Sequence, residues 1–285
     1  MPTTGSAAYR AHVDLIARIE SAYDAIARVD ARTERHGALL LFIAQEPGFT
    51  RYARPDPTVR RPITADEIAA VRARQRQLGL PEAFEWVHEV NPELLALAEA
   101  AGLNVVRAPL MVFDPQRVPP DEQRRQPAVR LLDPHSDEFA ADLATCLAVA
   151  DLGFSNPGTA VGTAGPAERD AAWRPIEPEQ VRAERRRAET GTLVRALLET
   201  DAGAVATAGL QRAGDVAEIA GVATLPAARR QGFGTAITLA LARSAVDSGV
   251  DVVFLSAADP QVARVYERAG FVRVGTACIA EPAAS

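Results

Sequence analysis

Between Ala217 and Gly234 the chain reads A-E-I-A-G-V-A-T-L-P-A-A-R-R-Q-G-F-G, an apolar run that passes through a proline into a glycine-rich helix start. Residues 218–225 suit a strand, Pro226 ends it, and from Thr235 the sequence A-I-T-L-A-L-A-R-S-A has helical period. Between strand and helix lie Arg229, Arg230, Gln231, Gly232, Phe233 and Gly234. A helix N-terminus carries unpaired backbone N–H groups and a partial positive charge, so it can hold a phosphate without any lysine. Glycine at 232 and 234 removes the Cβ atoms that would keep a pyrophosphate from the main chain. A short glycine pattern is weak evidence by itself. Here the strand before it and the helix after it supply the required context.

The rest of the composition is that of an ordinary soluble globular protein, with 285 residues, 48% apolar and 24% charged. That length suits two modest domains or one large one. No apolar run approaches the ~20 residues of a membrane span, and Met-Pro-Thr-Thr-Gly-Ser lacks the pattern of a secretion signal. Cys146 and Cys278 sit in apolar segments without metal-type spacing and read as buried free thiols. These features point to the cytoplasm. A net charge of -6 argues against a general nucleic-acid binder. Every basic residue apart from histidine is arginine; the chain has no lysine, in keeping with heavy use of Ala, Arg, Gly, Pro and Val.

Residues 7–34 read as one helix, with Leu15, Ile16, Ile19, Tyr23, Ile26 and Val29 near helical spacing. A strand at 38–44, a proline-rich irregular stretch at 45–63 and a helix capped by Thr64 with Glu67 at the capping-box position come next. Then come a strand at 83–90, a helix from Asn91 to Ala101 and a strand at 104–113. The polar, proline-rich residues 114–127 read as irregular, with an interdomain linker at 117–127 between domains at 1–116 and 128–285. Beyond it the pattern gives a strand at 129–132 and a helix from Ser136 to Leu152. After these lie a small, flexible, glycine-rich segment at 153–172, a charged helix at 177–189 and strands at 192–200, 203–211 and 215–225. The run Arg185-Arg186-Arg187, with Glu179, Glu184 and Glu189 around it, reads as an exposed helix face. Trp86 reads as core and Trp173 as a packing residue of the flexible segment.

The stretch R-x-x-G-x-G after a V-x-x-x-P strand resembles the acetyl-CoA loop of the GCN5-related N-acetyltransferases (GNAT). Downstream, Asp259-Pro-Gln-Val-Ala-Arg-Val-Tyr266-Glu-Arg-Ala-Gly270-Phe271 resembles the family's second signature, with Asp259 where an asparagine usually opens the helix. The resemblance covers roughly residues 128–281. It implies an α/β (α+β) fold with a mixed, mostly antiparallel sheet flanked by helices. The strand and helix order of the second half, read from pattern alone, agrees.

The two halves are also related. Asn91-Pro-Glu-Leu-Leu-Ala-Leu-Ala-Glu-Ala-Ala-Gly-Leu-Asn-Val-Val106 aligns without gaps on Asp259 to Val274. Carried backward, that register puts Thr64-Ala65-Asp66 opposite Gly232-Phe233-Gly234, and Ala98 opposite Tyr266. The first half therefore reads as a smaller, degenerate GNAT-like domain, a unit for packing, homodimerisation or acceptor binding.

The resemblance implies acetyl-CoA as cosubstrate, an amine acceptor and no metal. Such a transfer must deprotonate the amine, stabilise an oxyanion and protonate the departing thiolate. Glu218, a carboxylate among Ile219, Ala220, Val222 and Ala223, is the candidate base; alternation pointing it to solvent is the plainer alternative. Its place in A-E-I matches the catalytic glutamate of many family members. Tyr266 stands where the family places a tyrosine beside the thioester sulfur, as the candidate acid. The backbone of Val222, Ala223 and Thr224 is expected to pair with the pantetheine. Arg229 to Thr235 (Arg229, Arg230, Gln231, Gly232, Phe233, Gly234, Thr235) and Asp259 complete the expected cofactor contacts. A non-catalytic acyl-CoA-binding regulator is the alternative function. The acceptor is not legible, because such pockets are built from variable loops like 153–172.

Overall fold

The computed structural model describes residues 4–45, 52–124 and 128–283. In chain order the elements are α1 (Thr4–Ala27), β1 (Ala31–His36), β2 (Leu39–Ala44), β3 (Arg54–Pro55), α2 (Ala65–Leu78), β4 (Phe84–Val87), α3 (Glu93–Ala100) and β5 (Leu103–Phe113). After a 3₁₀ turn at Pro115–Arg117 come α4 (Pro120–Arg124), β6 (Val129–Leu131), α5 (Phe139–Phe154), α6 (Pro166–Ala172), α7 (Pro178–Glu189), β7 (Leu193–Thr200), β8 (Gly203–Ala213) and β9 (Val216–Thr224). A second 3₁₀ turn at Pro226–Ala228 leads to α8 (Phe233–Asp247), β10 (Val252–Ser256), α9 (Pro260–Arg268) and β11 (Phe271–Pro282). Among the described residues no helix is long and apolar enough to cross a membrane.

The chain divides into two compact units, residues 1–110 with 274–285, and residues 111–273. This partition differs from a cut at a linker over 117–127. Val118 is buried in the core of the second unit, and residues 120–124 are helical, so the segment is part of that unit; residues 125–127 lie outside the described ones. The C-terminal residues from Val274 belong to the first unit. There β11 pairs antiparallel with β4, Cys278 opposite Trp86, and Cys278 and Ala280 pack into a core with Phe84, Trp86, Ile68 and Leu94.

In the first unit β1 and β2 form an antiparallel hairpin, His36 opposite Leu39, with β3 on the far side of β2. The helix read over 7–34 ends at Ala27, and its last residues turn into β1 instead. Alternation on β1 is imperfect, but pairing with the fully apolar β2 supplies what local propensity does not. A parallel bridge joins Ala53 to Phe84. The early part of 45–63 falls partly on residues 46–51, outside the described ones.

The second unit is built on neighbouring strands in the order β10-β9-β8-β7-β6, with β6 to β9 antiparallel and β10 parallel to β9. Its core joins Leu143, Cys146 and Val149 of α5 and Ile237, Leu241 and Ala245 of α8 to the strand side chains Leu197, Leu210, Ile219 and Val253. This is the mixed, mostly antiparallel sheet flanked by helices that the resemblance implies. The segment 153–172 is more structured than its composition suggests, because Pro166 starts α6 and Arg169, buried there, donates to the carbonyls of Ala202 and Ala204. Nor is the arginine run of α7 simply solvated. Arg185 lies over the Phe139 ring at 4.7 Å, and Arg187 reaches Gln211. Trp86 is fully buried, whereas Trp173 is 38% exposed. Cys146 and Cys278 are buried free thiols, each pushed up to about 11 by burial.

Candidate functional site

β9 and β10 run side by side only at their start. Val252, Val253 and Phe254 stand opposite Val216, Ala217 and Glu218, and the described ladder then stops. On its other edge β9 slips against β8. Thr207 faces Ala223 and Gly209 faces Ala220, so Gly221 and Val222 together oppose Ala208 in a β-bulge. Gly221 sits at φ +65°, where a Cβ would be strained. Such a bulge bends its strand locally and increases the twist. Between the diverging strands opens a cleft of about 710 Å³, the size of a small-molecule site, along Ile219 to Thr224 and past Ser256 and Ala258. Along this part of β9 the main chain offers hydrogen-bonding groups to whatever occupies the cleft.

The cleft continues to the N-terminus of α8. Arg230 at φ +66° and Gly232 at φ +82° wind the main chain through two left-handed positions before the helix begins. Gly232 is the N-cap and brings no capping side chain. The first-turn N–H groups of this fifteen-residue helix therefore meet the cleft without a bond from the N-cap side chain, and an anion can take that place. Thr235 also lines the cleft, its hydroxyl donating to the Val265 carbonyl at 3.1 Å. The corresponding helix start in the first unit is closed. Glu67 accepts from Thr64 N at 2.8 Å and Ala38 N at 3.0 Å and pairs with Arg61, while Thr64 Oγ1 accepts from Glu67 N at 3.4 Å. A carboxylate already occupies that helix end.

Tyr266, one face of α9, lines the cleft while only 7% exposed. Desolvation pushes its phenol well above the ordinary range, so it holds its proton. Glu218 is half-buried at the last paired position, where β9 and β10 part, but it is not among the residues lining the cleft. Directly across the ladder stands Gln211, whose Oε1 accepts from Arg187 Nη2 at 3.2 Å. Gln211 and Glu218 share a face of the sheet, with Cβ atoms roughly 5 Å apart in such a pair.

Among the expected cofactor contacts, Val222, Ala223, Thr224 and the run Arg229 to Thr235 all line the cleft. Asp259 does not. Its Oδ1 accepts from Gln261 N at 2.6 Å and Val262 N at 2.8 Å, so the carboxylate is the N-cap of α9. The structure adds Gly153 and Phe154 from the end of α5, Pro157, Gly158 and Thr159 from the loop after it, and Val262, Val265 and Arg268 from α9. Val262 lies one helical turn before Tyr266 and was legible from that spacing. Gly153 was not. A Cβ there would come within 2.8 Å of the Ala223 Cβ, a close approach that only the packed structure reveals.

Residues 159–271 match the sequence profile of the Acetyltransferase (GNAT) family. Among curated proteins none matches the chain. A solved GCN5-related N-acetyltransferase from Kribbella flavida is 25% identical over 95% of this chain and 96% of its own, with a TM-score of 0.65. A tandem GNAT protein from the clavulanic acid biosynthesis pathway is 16% identical, covering 87% of this chain and 79% of its own at a TM-score of 0.52, a likeness of fold. A GNAT-family chain from Novosphingobium aromaticivorans DSM 12444 shares the fold at 17% identity, 88% and 92% coverage and a TM-score of 0.51. The segment that matches the Acetyltransferase (GNAT) family profile, residues 159–271, holds most of the residues that line the cleft, and the fold agrees with that match.

Proposed function

We propose that this protein is a cytoplasmic, acetyl-CoA-dependent N-acetyltransferase with one working site per chain, in residues 111–273, acting on an amine by direct attack on the thioester. The observation that carries this reading is the continuity of one cleft. It joins an open strand edge at Ile219 to Thr224, an uncapped helix N-terminus at Gly232 to Gly234, and a buried tyrosine. A ligand with amide groups along a flexible arm and a pyrophosphate at its end fits those features in that order.

Bound acetyl-CoA supplies an activated acyl group and a thiolate leaving group. The main chain of Val222 to Thr224 pairs with the amide-bearing arm, and the bulge at Gly221 and Val222 leaves a main-chain donor for the oxygen that gains charge. The turn at Arg230 to Gly234 holds the pyrophosphate. Tyr266 donates its proton to the departing sulfur. Burial makes the phenol a weaker acid, but the same desolvation makes the thiolate a stronger base, so the transfer stays balanced. Glu218, set back from the cleft wall, takes the amine proton through a water. The first unit repeats the element order from strand hairpin to final strand without the anion turn, and its helix start carries a full capping box of Thr64 and Glu67.

Calorimetry with acetyl-CoA tests the reading. One site per chain is expected, abolished in Gly232→Glu and Gly234→Glu while circular dichroism is unchanged. Unaltered affinity in both variants refutes the assignment of the turn, and a stoichiometry of two refutes the closed first unit. A mass-detected screen of amines with labelled acetyl-CoA then identifies the acceptor class, with no lysine on the enzyme to contribute a self-acetylation background.

A further inference from the structure

The first arginine of the anion turn is engaged elsewhere. Arg229 Nη2 donates to the carbonyl oxygens of Gly153 at 2.9 Å and Asn156 at 2.6 Å, Nη1 to that of Ala160 at 3.2 Å, and Nε to that of Thr224 at 3.4 Å. Three of these carbonyls belong to the end of α5 and the segment after it; the fourth closes β9. Gly153 O is one of the last carbonyls of α5, which have no partner within the helix and favour a cation. Only a planar fork can reach four oxygens that lie in different directions. All four are neutral, and desolvation by the surrounding chain lowers the guanidinium pKa.

The neighbouring stretch is held differently. Gly162 N donates to Pro226 O at 3.1 Å and Ala227 N to Ala164 O at 2.9 Å, so residues 162–164 are tied to the turn by main-chain bonds. Residues 153–160 are reached from the turn by the Arg229 side chain, while Ser155 N and Asn156 Nδ2 bond back to Asp151 O and Leu152 O of α5. They are also the residues that supply Gly153, Phe154, Pro157, Gly158 and Thr159 to the cleft.

We infer that Arg229 is a positioning residue that fastens residues 153–160 to the anion turn as one wall of the cleft, and is not itself a phosphate ligand. Order in that wall and affinity at the turn are coupled through this side chain. The coupling to an acyl-CoA rests on the function proposed above; the fastening does not.

Hydrogen exchange by mass spectrometry on the full chain, for wild type, Arg229→Lys and Arg229→Met, decides the matter, with coenzyme A affinity measured alongside. Without ligand, peptides covering 154–160 are expected to exchange at least roughly tenfold faster in both variants, the loss of several charge-assisted bonds. Peptides at 162–164 and in β8 and α8 should keep their protection. Lysine cannot span the four oxygens, so both variants should weaken coenzyme A binding equally. Unchanged exchange in the free variants, or affinity retained by lysine and lost by methionine, would assign Arg229 to the phosphate instead. Loss of protection throughout β8 and α8 would also overturn the local role. A wild type that binds no coenzyme A defeats the proposed function while leaving the exchange result to judge the wall.

Discussion

Tyr266 and Glu218, the proposed acid and base, differ in where they stand relative to the cleft. Tyr266 is in the cleft wall and held protonated by burial, whereas Glu218 is at its root beside Gln211. Tyr266→Phe is therefore expected to lower kcat by roughly 10²–10⁴-fold with acetyl-CoA affinity little changed, measured by steady-state kinetics once an acceptor is known. Because its folded-state pKa is raised, the tyrosine keeps its proton below the ordinary phenol value near ~10 and adds no alkaline limb to the rate profile there. Glu218→Gln should instead remove the acidic limb, and near-wild-type turnover in Tyr266→Phe would return the residue to the core. At this scale the sequence singled out residues whose chemistry is unusual for their setting, a tyrosine in a signature helix that lines the cleft and a carboxylate in an apolar strand that does not. It was ambiguous at Asp259, because aspartate before proline opens a helix equally well whether or not a ligand lies nearby, and only the distances to Gln261 N and Val262 N show where the carboxylate is used.

Two helix starts with matched positions in the sequence behave oppositely. α8 begins on a bare glycine, and α2 on a full capping box, Thr64 with Glu67. The Glu67 carboxyl is pushed down to about 2, first by Arg61 and then by its backbone donors, from an ordinary 4.5. A depressed folded-state value means its stabilisation is complete above about pH 4.5 and is lost as pH falls towards about 2. Glu34, also lowered to about 2 by Arg74 and Arg32, acts in the same direction. Glu67→Gln keeps a capping-box acceptor and should cost only about 0.5–1 kcal/mol at pH 7, the value of the lost charge at the helix start and of its partly exposed pair with Arg61, and should flatten the fall in urea-denaturation stability between pH 4.5 and 2. An unchanged slope would mean that the carboxylate is equally well placed in the unfolded chain. The capping box was written in local sequence and could be read there. The end of α1 at Ala27 could not, because β1 exists through its pairing with β2.

For the molecule as a whole, the return of the C-terminal strand to the first unit decides how the chain may be cut. A fragment of residues 1–116 lacks Cys278 and Ala280, which are buried in its core, and the strand that pairs with β4. It is expected to show no cooperative thermal transition by circular dichroism, and a native-like transition would refute the shared core. The sequence by itself determined the order of strands and helices in the second half apart from α6, and it singled out the proposed anion turn and the candidate catalytic pair. These come from local rules: apolar period, helix-start chemistry, and the conformational freedom of glycine. Only the tertiary structure decided that β9 bulges at Gly221 and opens the cleft, that Arg229 grips four carbonyls, and that residues from Val274 onward complete the first unit. Each of those depends on groups far apart in the chain, and a hydrogen bond or a packed face across such a separation leaves no period or spacing in the sequence to read.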